Sequence, residues 1–522
     1  MPLSDKITQL SVVPEVQPGV TPTDSPGAGT TNLDNPEFAN IVTTEVTPNL
    51  APEFIDRGIT TPGLTRTRQG VGVLAGGLSA GFYLAPSNLT ATFAERLPGW
   101  SRLLESGGMA IHALTRLEIG PLGAGAGGKV GPIRHGERIG SGGNTATVIG
   151  DVHDGATYLY VDQGSATGAL AAGAWTSLDT GVTVTTSNLT PDAGYGWAPT
   201  SAPLRQISLG ATAAYVVGDL IRGETSGAWG QIVKDVAGGT VAVFRPITGS
   251  FLDGEPLSRK PLGGAWSYGF ATGANPIRES FSSFGSVSLR LNQGGRALDF
   301  TGCRSNIQFA LSVSNEVTVT VAAQGLWAQA FDTPVLSGAG VDVSGPVWDG
   351  AIVGLASNEL TGDVPWAPAG TIQHEQLAAE QIPCLKSLNL DLGNQLQRRN
   401  CASAAGGIEE FNVESRQGTG SVVSDAELEG YIPWLTRLRA GEISRLRTGW
   451  GSRAAGNYFE LQMPGIQATG ANLTGQNGLV QQDLPFNLTG GLNDNLLATG
   501  GAGDISATPT DNEVILIHDF TA

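Results

Sequence analysis

Cysteine is scarce in this 522-residue chain, which holds only Cys303, Cys384 and Cys401. An odd, sparse set with this spacing builds no disulfide framework and no zinc site, and it fits a reducing assembly compartment. Histidine is nearly as rare. His112, His135, His153, His374 and His518 are scattered, and none stands in an H-E-x-x-H or Cys/His spacing that holds zinc. No run of about 18 apolar residues could span a bilayer. The N-terminal MPLSDKITQLSVVPE lacks the basic and apolar regions of a signal peptide. The expectation is a soluble protein with no membrane partner and no visible export signal.

Charge is thin as well. Only 15% of residues are charged, and 29 basic against 47 acidic residues leave a net −18. A protein that grips DNA through its phosphates needs concentrated Lys and Arg, so that class is excluded, although DNA could slide past without sticking. Glycine is abundant instead: 75 residues, about twice the roughly 7% of ordinary usage. Such a chain favours turns and close backbone approaches over long helices. Ten Trp, 16 Phe and 8 Tyr supply enough aromatic mass to exclude wholesale disorder. The length predicts two or three domains.

The segment 456–488, GNYFELQMPGIQATGANLTGQNGLVQQDLPFNL, reads as two strands around a polar loop. Tyr458, Phe459, Leu461 and Met463 give strand-forming bulk up to Pro464. Leu479, Leu484, Phe486 and Leu488 resume after the turn dipeptide Asn477-Gly478. EVILIHDF at 513–520 is a further strand. Alternation is clean in SVSLRLNQGGRALDFTG from Ser286 and in NEVTVTVAAQG, and LKSLNLDLGNQL and IEEFNVESR add strand candidates. The fold class expected is mainly β: an antiparallel sandwich or barrel with one or two flanking helices and an inserted small β domain.

Four regions are expected. Residues 1–40, rich in Pro, Gly, Thr and Asp, form an extended N-terminal arm. Residues 41–130 begin the main β domain and include a short helix in Leu97–Met109, with Trp100, Leu103 and Leu104 on one face and Gly107-Gly108 as its stop. Residues 131–260 form an inserted β domain. There GGNTATVIGDVHDGATYLYV (142–161) repeats as SGAWGQIVKDVAGGTVAVF (226–244), matching Asp151-Val152 to Asp235-Val236 and Gly155 to Gly239. Residues 261–522 complete the main domain. Within them Ser424 and Glu427 form a capping box, and Leu428, Ile432, Leu435 and Leu438 follow at helical spacing despite Pro433.

Candidate chemistry is weak. Gly123, Gly128 and Lys129 have the G-x4-G-K spacing of a phosphate loop, but Val130 stands where Mg²⁺ needs Ser or Thr, so a flexible junction is expected. DVHDG at 151–155 has two carboxylates and an imidazole, yet its counterpart DVAGG at 235–239 lacks them, and a hairpin turn is expected. No G-x-S-x-G elbow occurs, and the carboxylates show no pairing that marks a general acid and base. The sequons at Asn88, Asn188, Asn472 and Asn487 read as strand edges. No catalytic, cofactor-binding or metal residue is assigned, and the expectation is no enzyme and no cofactor.

The order of LKSLNLDLGNQL, GIEEFNVESR, the helix, GNYFELQMPGIQATG, the Asn477-Gly478 loop and a closing strand resembles the major tail tube proteins of long-tailed, siphovirus-like bacteriophages. PEFIDRG, TRTRQGVGVLAGGLSAGFYL, LPGWSRLLESGGM and GGRALDFTGCRSNIQFALSVSNEVTVTVAAQG extend the likeness to about three quarters of the chain. The resemblance implies a virion structural protein, assembled in the host cytoplasm, that self-associates into stacked hexameric rings with the 131–260 insertion on their outer surface. Its implied partners are other copies of itself, the tape measure, tail terminator and tail tip proteins, and genomic DNA passing through the lumen unbound. Six copies at −18 each would repel phosphates if part of that charge lined the lumen. The alternatives are another tail component such as a terminator, or a carbohydrate-binding or hydrolytic surface protein. The last requires clustered Trp with paired carboxylates.

Overall fold

The computed structural model describes residues 8–15, 39–41, 43–55, 70–84, 98–123, 133, 135–152, 156–163, 166, 170–178, 181–199, 205–215, 220–223, 229–232, 236–248, 256–260, 267–271, 278–279, 286–293, 296–312, 317–332, 370–374, 380–381, 385–400, 408–426, 434–441, 443–451, 458–476, 479–489 and 514–519. The fold is mainly β, and the described pairings are antiparallel.

The first third supplies β1 (Thr8–Pro14), β2 (Ala39–Ile41), β3 (Thr43–Ile55), β4 (Gly70–Tyr83), α1 (Ser101–Ser106) and β5 (Met109–Ile119). Then come β6 (Arg138–Ser141), β7 (Asn144–Ile149), β8 (Tyr158–Asp162), β9 (Gly173–Ser177) and β10 (Thr183–Pro199). A run of strands follows: β11 (Arg205–Tyr215), β12 (Leu220–Gly223), β13 (Trp229–Ile232), β14 (Val236–Thr248), β15 (Pro256–Lys260), β16 (Ser267–Ala271) and β17 (Arg278–Glu279). The main domain resumes with β18 (Val287–Gln293), β19 (Arg296–Ser312), β20 (Thr318–Asp332), β21 (Gly370–His374), β22 (Glu380–Gln381) and β23 (Leu385–Asp391). Next are β24 (Asn394–Asn400), β25 (Ile408–Arg416), β26 (Thr419–Asp425) and α2 (Trp434–Ala440). The last strands are β27 (Ile443–Trp450), β28 (Tyr458–Ala468), β29 (Asn472–Gln476), β30 (Leu479–Leu488) and β31 (Ile515–Asp519).

The main core lies inside one long curved ribbon, in the order β3, β4, β20, β19, β23, β26, β30, β28, β31, β10, β5. Period-2 alternation builds it: Val319, Val321 and Ala323 of β20 point inward, while Thr320, Ala322 and Gln324 face out. Aromatic rings fill the centre. Trp100 lies 4.9 Å from Trp197 and 6.3 Å from Phe459, and Trp450 stacks on Phe459 at 5.7 Å. α1 plugs this core where the sequence placed it, with Leu103 and Leu104 fully buried. It ends on Gly107, whose N–H bonds Leu104 O, and on Gly108 at φ 83°, a conformation that favours glycine.

Several expectations need correction. Residues 8–15 are no free arm: β1 lies between β2 and β18, with Leu10 and Val12 at 0% exposure. The Glu15 carboxylate accepts hydrogen bonds from Ser286 Oγ, Ser288 Oγ and the Gly302 N–H, which fixes the segment. The rest of the expected arm lies outside the described residues. Ser424 caps no helix, because it is buried in β26 opposite Gln482 of β30. Strand pairing on both sides outweighs the local capping pattern. α2 is described from Trp434, and Glu427, Leu428 and Ile432 of the expected helix lie outside the described residues.

The expected insertion at 131–260 divides between two sheets. Strands β5, β8, β7, β6, β9 and β10 pair in sequence and return to β5, closing a six-stranded barrel. Its interior is a separate apolar core that includes Leu117, Ile139, Val148, Val161, Trp175 and Val184. Closure removes the edges that an open sheet exposes. Strands β11–β17 form a second, seven-stranded sheet. The 84-residue repeat is therefore a likeness of hairpins, β7–β8 in the barrel and β13–β14 in the other sheet.

Candidate assembly surface

β28 is the centre of the C-terminal region. Phe459–Gln462 pair β27 on one side and β31 on the other, and Phe459, Leu461 and Met463 are fully buried. Pro464 does not end this strand. It continues to Ala468 and transfers its pairing to β30 at Ile466–Ala468.

The polar loop expected after it is itself a strand. β29 pairs with β30 from Asn472↔Asp483 to Gln476↔Leu479, leaving Asn477-Gly478 as a two-residue connection. Leu473, Leu479 and Val480 are 55%, 59% and 51% exposed, and residues 472–482 carry no charge. Six large apolar side chains stand out as exposed among the described residues, and three of them share this tip. The pairing puts Leu473 and Val480 on one face of the hairpin and Leu479 on the other, so the tip is apolar on both sides. Isolated exposed leucines need no explanation, whereas several at one tip suit a contact. Sequence reading missed these three residues as a group; the signal was Leu479-Val480 directly after an Asn-Gly turn.

A second exposed feature is β3. This 13-residue strand pairs only with β4 among the described residues, so its outer edge presents backbone donors and acceptors. Pro48 and Pro52 lack N–H groups and partly blunt that edge. Between the outer face of β3, β4 and β20 and the overhanging β24–β25 hairpin runs a groove of about 980 Å³. Thr47, Asn49, Ser79 and Ala322 line one side and Leu396, Arg398 and Phe411 the other.

Where the barrel meets the main core, polar groups interlock. Asp519, fully buried, accepts from Arg116 Nη1 at 3.0 Å and Tyr160 Oη at 2.7 Å. Glu460 accepts from Tyr458 Oη and from Gln462 Nε2. Gln462 Oε1 in turn accepts the Asp151 N–H at 2.6 Å. Asp151 Oδ1 accepts the His135 N–H, and His135 Nδ1 accepts from the Gly150 N–H at 3.1 Å. Burial, with His112 nearby, lowers the His135 pKa to about 4. A cavity of about 80 Å³ beside them is lined by Asp151, Tyr158, Arg447 and Glu460. These carboxylates already accept hydrogen bonds from fixed donors, so the cluster ties two cores together.

The motif residues fall as follows. Gly123 bridges to Thr183 of β10, while Gly128 and Lys129 lie outside the described residues. Asp151 belongs to the interlock above; His153, Asp154 and Gly155 are outside the described residues. His112 Nδ1 lies 3.5 Å from Asp162 Oδ2, and His374 ends β21. His518 is fully buried, stacks on Phe459 at 4.0 Å, and has its pKa lowered to about 3 by burial. Cys303 is buried, and Cys384 and Cys401 lie outside the described residues. Among the described residues no three His, Cys, Asp or Glu side chains converge as a metal site. Trp100, Trp197 and Trp450 do cluster, but in the core, where they form no platform for a sugar. No known protein-family model matches the chain, and no curated protein matches it.

Proposed function

We propose that this protein is a structural subunit that self-assembles through its sheet edges and its β29–β30 tip, as a tail tube subunit of a long-tailed phage does. The observation that carries this reading is the uncharged tip with exposed apolar side chains on both faces of one hairpin of an antiparallel β protein. On this reading the free edge of β3 is covered by a neighbouring copy, and copies close into hexameric rings that stack. Rings built so form a conduit, and the scarcity of cationic residues lets DNA pass without being held. The tape measure, terminator and tip proteins are its further partners in the virion tail, assembled in the host cytoplasm. The work is done by contacts, with no catalytic role assigned to any residue.

Electron microscopy and sedimentation of the purified protein test this directly. Tubes or stacked rings are expected above a critical concentration. Deletion of Ala471–Gly478 removes β29, which among the described residues pairs only with β30, and should give a folded monomer that fails to polymerise. Normal tubes from the deletion would remove the role of the tip, and monodisperse monomer from the intact chain would remove the assembly reading.

A further inference from the structure

We infer that the bend at Gly150 is an acid-released clamp between the barrel and the main core, with the His135 imidazole as its latch. At this bend the barrel closes on the main core. Gly150 has φ 86°, and a Cβ there would stand 3.0 Å from the Gln462 amide of β28 and 3.1 Å from Ile517 Cδ1 of β31. Two consecutive N–H groups hold it. The Asp151 N–H donates across the seam to Gln462 Oε1 at 2.6 Å, and the Gly150 N–H donates within the barrel to His135 Nδ1 at 3.1 Å. The backbone on either side is pinned separately: Ile133 and Val152 exchange two bonds of 2.8 Å, and the Gly136 N–H donates to Val148 O at 2.8 Å.

Because Nδ1 accepts, the neutral ring carries its proton on Nε2, and an added proton goes to Nδ1. That proton turns the acceptor into a donor facing the Gly150 N–H, so the bond is lost and two donors oppose each other. The titratable groups that face the ring are His112 of β5, Asp162 of β8 and Asp151. Beyond Asp151 stands Glu460 of β28, with Arg447 of β27 at 3.5 Å from it, while Arg116 of β5 and Asp519 of β31 bind one another at 3.0 Å. Burial and then His112 oppose the proton, Asp151 and Asp162 favour it, and the balance lowers the pKa of the closed state to about 4. Once released into water the ring returns toward its ordinary 6.5. The closed corner is therefore fully stabilised above pH 6.5 and loses that stabilisation as pH falls to about 4. β5 and β10 run through both cores, so the barrel stays attached and this corner alone lifts. Its lifting uncovers Ile149 and Ile517 and opens the cavity of about 80 Å³ beside Asp151.

Hydrogen–deuterium exchange of the full chain, corrected for the intrinsic pH dependence of amide exchange, tests the clamp in a single copy and needs no assembly. Protection of Gly150 and Asp151 should fall about fifty-fold between pH 7 and pH 4.5, the response of one group whose pKa moves between about 4 closed and 6.5 open. Peptides over Trp175 of β9 and Phe459 of β28 should fall far less, which separates the corner from global loss through His518. His135→Asn places a neutral amide oxygen near the Nδ1 position and removes the titration. It should keep its protection at pH 4.5, with Asp151 and Asp162 unchanged. An equal fall in His135→Asn would assign the release to those carboxylates and overturn the latch. Gln462→Ala removes the other bond of the clamp, and it should lower protection already at pH 7 while the acid response persists. Wild-type protection at Gly150 that does not change with pH, or a fall shared equally by β9 and β28, would overturn the clamp whichever variants fold.

Discussion

At the scale of single residues, burial decides the behaviour of the ionisable groups. His518 is closed inside the core and stays neutral, its pKa lowered to about 3, whereas an unfolded histidine titrates near 6.5. Below pH 6.5 the unfolded chain binds a proton that the folded chain refuses, so stability falls with acid until the folded pKa is reached. Each pH step costs about 1.4 kcal/mol from this group. Urea titrations at pH 7 and pH 5 should differ by about 2 kcal/mol through His518 alone, and His518→Phe, which keeps the stack on Phe459, should flatten that limb. His135 acts in the same direction between 6.5 and about 4, with a smaller share because its residue keeps some solvent contact. Asp519 behaves oppositely to a dispensable surface charge. Asp519→Ala would strand the buried Arg116 guanidinium, and a loss of about 3–5 kcal/mol is expected in denaturant unfolding.

At the scale of elements, local pattern and long-range pairing divide what the sequence reveals. α1 was legible because its apolar face and its glycine stop lie within 13 residues, and β18 to β20 because alternation is a property of each strand alone. Ser424 misled because a capping box and a buried strand residue look alike in isolation, and only β23 and β30 on either side decide the matter. β29 was hidden because Asn472 and Gly475 disfavour strands and its polar residues give no apolar alternation, so that only its pairing with β30 reveals it. The exposed tip was legible in place but not in form. The close approach of β10 to β31 gives an element-scale test. A Cβ on Gly194 would overlap the carbonyl oxygen of His518, so Gly194→Ala should separate those strands and cost several kcal/mol, read as a lowered melting temperature.

At the scale of the molecule, the main core and the barrel core share β5 and β10, while among the described residues the β11–β17 sheet pairs with neither. Calorimetry should therefore show the barrel and main core melting together and the seven-stranded sheet in a separate transition. A barrel transition resolved from the main core would contradict this. The barrel could not be foreseen from sequence because its closure depends on β5 meeting β10 across about seventy residues, a distance that no local period reports. Those two strands run on beyond the barrel, pairing from Thr186↔Ile119 to Pro199↔Met109. Their hydrogen bonds lie across the strand direction, so a pull along either strand loads them in shear, many at once. A force applied to the barrel's outer surface is thus carried into the aromatic core by the most resistant geometry a sheet offers, and the barrel can serve as a handle.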